Sequence, residues 1–201
     1  MMTKTNPWSV SIARVVRRLA DYLSNFRLYS PQEEIYCIAY GSNLCETRMK
    51  ARCPEAEVYG TSMIYGYRLL FKKSMTGFYA TIEQDANSEV PVVIYRISPY
   101  DEARLDRFEG FPKYYYKREF FLPIWNLNGR RRKKRRSCIA YIMHEYRLRG
   151  EPGKDYYRLL DEGYERWGFD KESLEMGLIS SIGYRQAETW LKKYEKERDR
   201  T

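Results

Sequence analysis

EIYCIAYGSNLCETRM, residues 34–49, is the stretch from which this chain is best read. Up to Tyr40 it is a short run rich in aromatic and branched residues, which suits a strand. Gly41, Ser42 and Asn43 then make a turn, because glycine lets the backbone bend tightly and Ser or Asn can cap the next element. The residues beyond Asn43 lead into a helix. Free backbone N–H groups at such a strand-to-helix turn can hold a carboxylate or a phosphate. A turn with no ligand would use the same residues, so this segment by itself speaks for architecture before function.

Outward from it, further strand-like runs occur at 58–71 (VYGTSMIYGYRLLF, broken at Gly66), 78–83, 90–98, 114–125 and 137–146. Ser98, Pro99 and Asp101 read as an N-cap, a first-turn proline and a carboxylate at the third position, and Gly110 ends that helix. The C-terminal third returns to helix at 154–168, 170–183 and 185–200. About six strands, mostly consecutive and with helices at the edges, predict an α+β domain: a mixed sheet or small β-barrel flanked by helices. Before it, Ile12, Val15, Val16, Leu19, Leu23 and Phe26 recur at three- and four-residue spacing. This predicts an N-terminal amphipathic helix over residues 1–31, followed by one domain over 32–201.

The chain has 201 residues, 43% of them apolar and 16% aromatic, too much for a disordered chain. No stretch approaches the roughly 18 apolar residues of a membrane-spanning helix. The first residues also lack a continuous apolar run before a cleavage site, which argues against a secretory signal. The net charge is +9, but RRRKKRR at 130–136 carries seven positive charges, and +9 less seven leaves +2. The basic character is therefore local. The run falls where a hairpin loop belongs, and it has no interleaved aromatics to stack bases, which counts against nucleic acid as a partner. Cys37, Cys45, Cys53 and Cys138 form no CxxC pair, and His144 is the only histidine. A Cys/His zinc site is disfavoured, and reduced thiols in a cytoplasmic protein are expected. His144 itself reads as a structural strand residue.

A second segment with chemical potential is LDRFEGFPKYYYKREF, residues 105–120. Glu109 sits at a helix end, where it feels the negative end of the dipole. If Phe108, Phe111 and tyrosines surround it, desolvation should raise its pKa, which is how a carboxyl group becomes a proton shuttle near neutral pH.

Taken together, AYGSNL, LDRFEG, YYYKREF and the tyrosine-rich helix GKDYYRLLDEG resemble the γ-glutamyl cyclotransferase-like family, over roughly residues 34–170. The resemblance implies a mixed α/β fold around a small β-barrel and release of 5-oxoproline from a γ-glutamyl amine or peptide, with no cofactor and no metal. It carries the family's substrate-binding turn onto Tyr40, Gly41, Ser42, Asn43, Leu44 and Cys45, its catalytic glutamate onto Glu109, and a substrate-contacting tyrosine onto Tyr156, with Gly163 fitting later in the same helix. Cys45 departs from the aliphatic residue or methionine that the family often has there. The N-terminal helix and the basic run are additions to the family pattern.

The chemistry this implies is intramolecular. The α-amine of a γ-glutamyl group attacks its own γ-carbonyl and closes a five-membered ring, so effective molarity does much of the work. Glu109 would remove a proton from the amine and return it to the departing one. The turn's N–H groups would hold either the α-carboxylate or the developing oxyanion. The alternative is a catalytically silent interaction domain that contacts anionic partners through residues 130–136. The leaving amine and the oligomeric state are open at this point.

Overall fold

The computed structural model describes residues 34–127 and 135–199. The N-terminal helix expected over 1–31 and most of the basic run, residues 130–134, lie outside the described residues.

Among the described residues, five strands form one mixed sheet: β1 (Ile35–Ala39), β2 (Glu57–Lys73), β3 (Phe78–Ile97), β4 (Tyr115–Leu122) and β5 (Arg136–Met143), in the order β2-β3-β1-β5-β4. β1 pairs antiparallel with β3 and parallel with β5, and the β2–β3 and β4–β5 pairs are hairpins. The strand run at 34–40 is thus the middle of the sheet. Its Cys37, Ile38 and Ala39 are all buried, as a central strand covered on both faces requires.

Two expectations are corrected. The runs at 78–83 and 90–98 are one strand. The ladder to β2 runs to the Tyr67–Gln84 pair and resumes at Tyr65–Glu89, so residues 85–88 bulge out of β3 opposite Gly66, where the Asp85 carboxylate accepts from the Asn87 amide at 3.3 Å and the Ser88 hydroxyl at 2.9 Å. The β2–β3 register slips at Gly66, whose φ of 76° marks a bulge. The sheet is also not a closed barrel. Its edge strands β2 and β4 share no ladder. The chain beyond β4 meets β2 through one isolated bridge, in which the Thr61 and Trp125 amides donate to each other's carbonyls at 2.8 and 2.9 Å. Pro123, which has no N–H, ends β4 before a ladder could form.

The helices are α1 (Glu46–Arg52), α2 (Pro99–Glu109), α3 (Lys154–Trp167), α4 (Glu172–Ile182) and α5 (Tyr184–Arg198). The capping signals around α2 hold. Ser98 accepts a hydrogen bond from the Asp101 amide at 3.2 Å, Pro99 opens the first turn, and Gly110 closes the helix in the left-handed region at φ 65°. α3, α4 and α5 build a helical layer around Tyr157, Leu160, Tyr164, Leu174, Leu178, Trp190 and Tyr194, all buried. The Tyr157 ring meets those of Trp190 and Tyr194 at centroid distances of 4.9 and 5.1 Å. Asp161, buried in this layer, accepts from Tyr194 at 2.8 Å and pairs with Lys171 and Arg198, which hold its carboxyl below the usual carboxylate range against its burial. No helix among the described residues is long and apolar enough to cross a membrane.

Candidate functional site

The two sequence segments meet in space. A cavity of about 510 Å³ is lined by Tyr40, Gly41, Ser42 and Asn43 from the first segment, and by Arg107, Phe108, Glu109, Gly110, Tyr114 and Tyr115 from the second. Ile38 and Ala39 from β1, Arg48 and Arg52 from α1, Ser74, Met75, Thr76, Tyr79 and Ala80 from the β2–β3 hairpin, Tyr141 from β5 and Tyr156 from α3 complete the wall.

Each piece is placed by its own element. β1 delivers Tyr40 to the sheet's end, where its hydroxyl donates to the Tyr141 carbonyl. The chain then turns through a short 3-10 segment (Ser42–Leu44) into α1. The Leu44 amide donates to Gly41 O at 2.9 Å and the Cys45 amide to Ser42 O at 3.4 Å. The Ser42 and Asn43 amides, one and two residues into the turn, precede these bonds and have no backbone acceptor among the described residues. Gly41 packs closely, since a Cβ there would lie 3.3 Å from the Tyr156 hydroxyl and 3.4 Å from Ala80 Cβ. Tyr156 Oη in turn accepts the Ala80 amide at 3.1 Å, and its ring stands edge-on to Tyr79 at 4.9 Å. One tyrosine thus ties α3, β3 and the turn together.

Glu109 is the last residue of α2 and keeps one face open to the cavity. Burial among tyrosines pushes its carboxyl up to about 7, and the Arg52 guanidinium offsets only part of that rise. No side-chain or backbone donor among the described residues holds the carboxylate. Its proton-accepting face is therefore free. Arg52 is itself fixed: it donates to Ser42 Oγ at 2.9 Å and to Asn43 Oδ1, and its guanidinium lies 3.8 Å from the Phe108 ring centroid. This arginine links the turn to the helix end that carries Glu109.

Of the residues expected from sequence, Tyr40, Gly41, Ser42, Asn43, Glu109 and Tyr156 share the cavity, and Leu44 and Cys45 do not line it. Leu44 points beneath the turn. It is buried, its carbonyl accepts the Trp167 indole N–H at 2.8 Å, and its Cβ faces Gly163, where an added Cβ would lie only 2.8 Å away. Leu44 and Gly163 therefore clamp the turn onto α3. Cys45 stands next, at the N-cap position of α1. Phe111 is also outside the cavity, so the aromatic residues that share it with Glu109 are Phe108 and tyrosines. His144 lies one residue past β5 instead of within it. Its ring nitrogen pairs with Pro112 O at 2.9 Å and its ring stacks on Tyr146, a structural role.

Sequence reading missed the arginines. Arg48 and Arg52 stand at i and i+4 on α1, the spacing that puts both on one helical face, and that spacing was the available signal. All four cysteines are free thiols, and among the described residues no three His, Cys, Asp or Glu side chains are grouped to hold a metal.

The sequence model of the family described as "Gamma-glutamyl cyclotransferase, AIG2-like" matches residues 37–166. A gamma-glutamylcyclotransferase of Bos taurus is 28% identical over 147 residues, covering 70% of this chain and 75% of its own. The Homo sapiens protein of the same name is 28% identical over 153 residues, covering 72% and 78%. Among solved structures, a human protein described as uncharacterized superimposes with a TM-score of 0.62 at 25% identity, covering 75% of this chain and 89% of that one. A further structure titled gamma-glutamyl cyclotransferase gives 0.63 at 24% identity, covering 80% and 99%, and shows the shared fold.

Proposed function

Because the chain belongs to the gamma-glutamyl cyclotransferase, AIG2-like family, we propose that it releases 5-oxoproline from a γ-glutamyl amine or peptide, with Glu109 as general base and then general acid. The observation that carries this reading is Glu109 itself: a carboxyl pushed up to about 7, unclaimed by any donor among the described residues, facing the same cavity as the 40–43 turn. A base poised near the working pH gains most from proton transfer.

In the proposed reaction the γ-glutamyl group lies bent between the turn and Glu109. The carboxylate takes a proton from the α-ammonium, which is mostly charged at neutral pH. The freed amine attacks the γ-carbonyl, a C–N bond forms to close the ring, and a tetrahedral oxyanion develops. Glu109 returns its proton to the departing nitrogen as the old C–N bond breaks, and the second proton of the ring nitrogen passes through the freed carboxylate to the departing amine, so 5-oxoproline and an ammonium leave and Glu109 ends as it began. The Ser42 and Asn43 amides are suited to an anion, and Arg52, which grips both side chains, holds that turn in shape. Tyr156 supports a binding role by walling the cavity against the turn. Four free thiols favour a reducing, cytoplasmic setting for this activity.

The test is 5-oxoproline release across a panel of γ-glutamyl amino acids, dipeptides and amines. Turnover of at least one member that is abolished on heat denaturation is the expected result. No release from any member would reject the reaction.

A further inference from the structure

A second cavity, of about 350 Å³, opens beside the edges of β2 and β4, which share no ladder, and it has no lining residue in common with the first. Tyr67 of β2, Ile82 of β3 and Tyr116 of β4 give it apolar surface. The Tyr67 ring is buried, edge-on to Phe120 at a centroid distance of 5.2 Å, and the Arg118 guanidinium lies 5.4 Å from its centroid. Its hydroxyl is also buried, yet has no hydrogen-bond partner among the described residues. Buried hydroxyls are nearly always satisfied, so this donor is one that the described side chains leave unused.

The charges that line this cavity divide into a spent pair and an unspent one. Glu83 pairs with Arg149 at 2.7 Å, with the buried Lys72, and more distantly with Arg68 at 4.0 Å. Lys72 is committed further, donating to the Glu145 carbonyl at 2.9 Å. That leaves Arg118 and Glu145, both exposed, with no ion pair to each other or to any described residue. Glu119, next to Arg118 in sequence, accepts instead from the Ser137 hydroxyl at 2.9 Å. The Glu145 carboxylate accepts from the Tyr116 hydroxyl at 2.6 Å. Arg118 and Glu145 both act on that hydroxyl: burial and Glu145 push it up to about 12, and Arg118 opposes the rise. The cavity therefore presents one cation and one anion about a common point, unpaired with each other, beside apolar surface.

We propose that this cavity binds a free α-amino acid with an apolar side chain, its carboxylate on Arg118, its ammonium on Glu145 and its side chain against Tyr67, Ile82 and Tyr116. A zwitterion answers both charges at once, whereas a simple anion or cation answers one and leaves the other unmatched. Tyr67, in contact with Arg118, offers its unused hydroxyl as a further donor to the carboxylate. The volume lies at the small end of the roughly 300–1,000 Å³ typical of ligand sites, which suits a single amino acid. The proposal does not depend on the cyclotransferase reading.

Calorimetry of the full chain with L-leucine, L-leucinamide and 4-methylpentanoate separates the two poles, because the amide lacks the carboxylate and the acid lacks the ammonium. Leucine should bind about tenfold tighter than either at low salt, and the margin should shrink as salt is added. Arg118→Gln should erase the advantage over the amide, and Glu145→Gln the advantage over the acid, with circular dichroism unchanged. Arg118→Lys keeps the charge and should keep the advantage. Equal binding of the three, binding of none, or a preference that both Gln substitutions leave intact overturns the site. A leucine preference kept in Arg118→Gln and lost in Arg52→Gln overturns it too, by placing the ligand in the first cavity.

Discussion

Glu109 is where a single side chain decides most. Its position at the end of α2, among tyrosines, makes the ionised form costly, and Arg52 returns only part of that cost. Two outcomes are expected at this residue. Glu109→Gln is nearly isosteric and removes only the charge, so it should fold normally and lose roughly 10²–10⁴ in kcat as the proton shuttle disappears. The wild-type kcat/KM should fall below about pH 7, tenfold per unit, as the base becomes protonated, and this limb should be missing from the variant's residual rate. A well-folded Gln variant that turns over at the wild-type rate would remove Glu109 from the chemistry. The second outcome concerns stability. The folded value of about 7 lies above the ordinary 4.5, so between those values the unfolded chain releases a proton that the folded chain retains. Stability associated with this group is full below about pH 4.5 and declines as pH rises through 7. Glu109→Gln should therefore match the wild type in unfolding free energy at pH 4 and exceed it at pH 8, by an amount on the order of 3 kcal/mol. An offset that is the same at both pH values would contradict a raised carboxyl.

At the scale of elements, the site is a junction between the β1–α1 turn and the C-terminal end of α2. Both are short-range structures whose chemistry is written locally: the glycine turn on one side, the Ser98 cap and Gly110 stop on the other. What couples them is Arg52, reaching from α1 to Ser42, Asn43 and Phe108. Its charge also lowers the Glu109 pKa. Arg52→Gln should thus move the acid limb of the rate to higher pH, because a carboxylate that loses a neighbouring cation holds its proton more tightly. It should also raise KM by loosening the turn. A pH–rate profile of the variant checks the sign: a limb that stays put or moves to lower pH would show that Arg52 does not act on Glu109. The residues of LDRFEG were readable as a capped helix end, yet nothing in that hexapeptide names the arginine that serves it, because the contact crosses between elements far apart in sequence.

On the scale of the whole molecule, the cavity draws on β1, α1, the β2–β3 hairpin, α2, β4, β5 and α3, and none of its described lining residues comes from the connection that carries the basic run. Replacing residues 130–134 with a Gly/Ser linker should leave 5-oxoproline release unchanged, while any salt-sensitive binding to polyanions should be lost. A loss of turnover with the fold intact would tie that segment to the site. Local information sufficed for the central strand at 34–40, the α2 caps, the three C-terminal helices and the two segments with chemical potential, since periodicity, glycine and proline act over a few residues. Those segments also sufficed for the family. The tertiary structure alone decided that the sheet stays open at the Thr61–Trp125 bridge, that 78–97 is one strand, that Leu44 clamps the turn while Ser42 and Asn43 face the cavity, and that three arginines line one cavity with a carboxylate. Each of these depends on which atoms meet across long stretches of chain, and hence on desolvation and charge proximity, which have no counterpart in the order of residues along it.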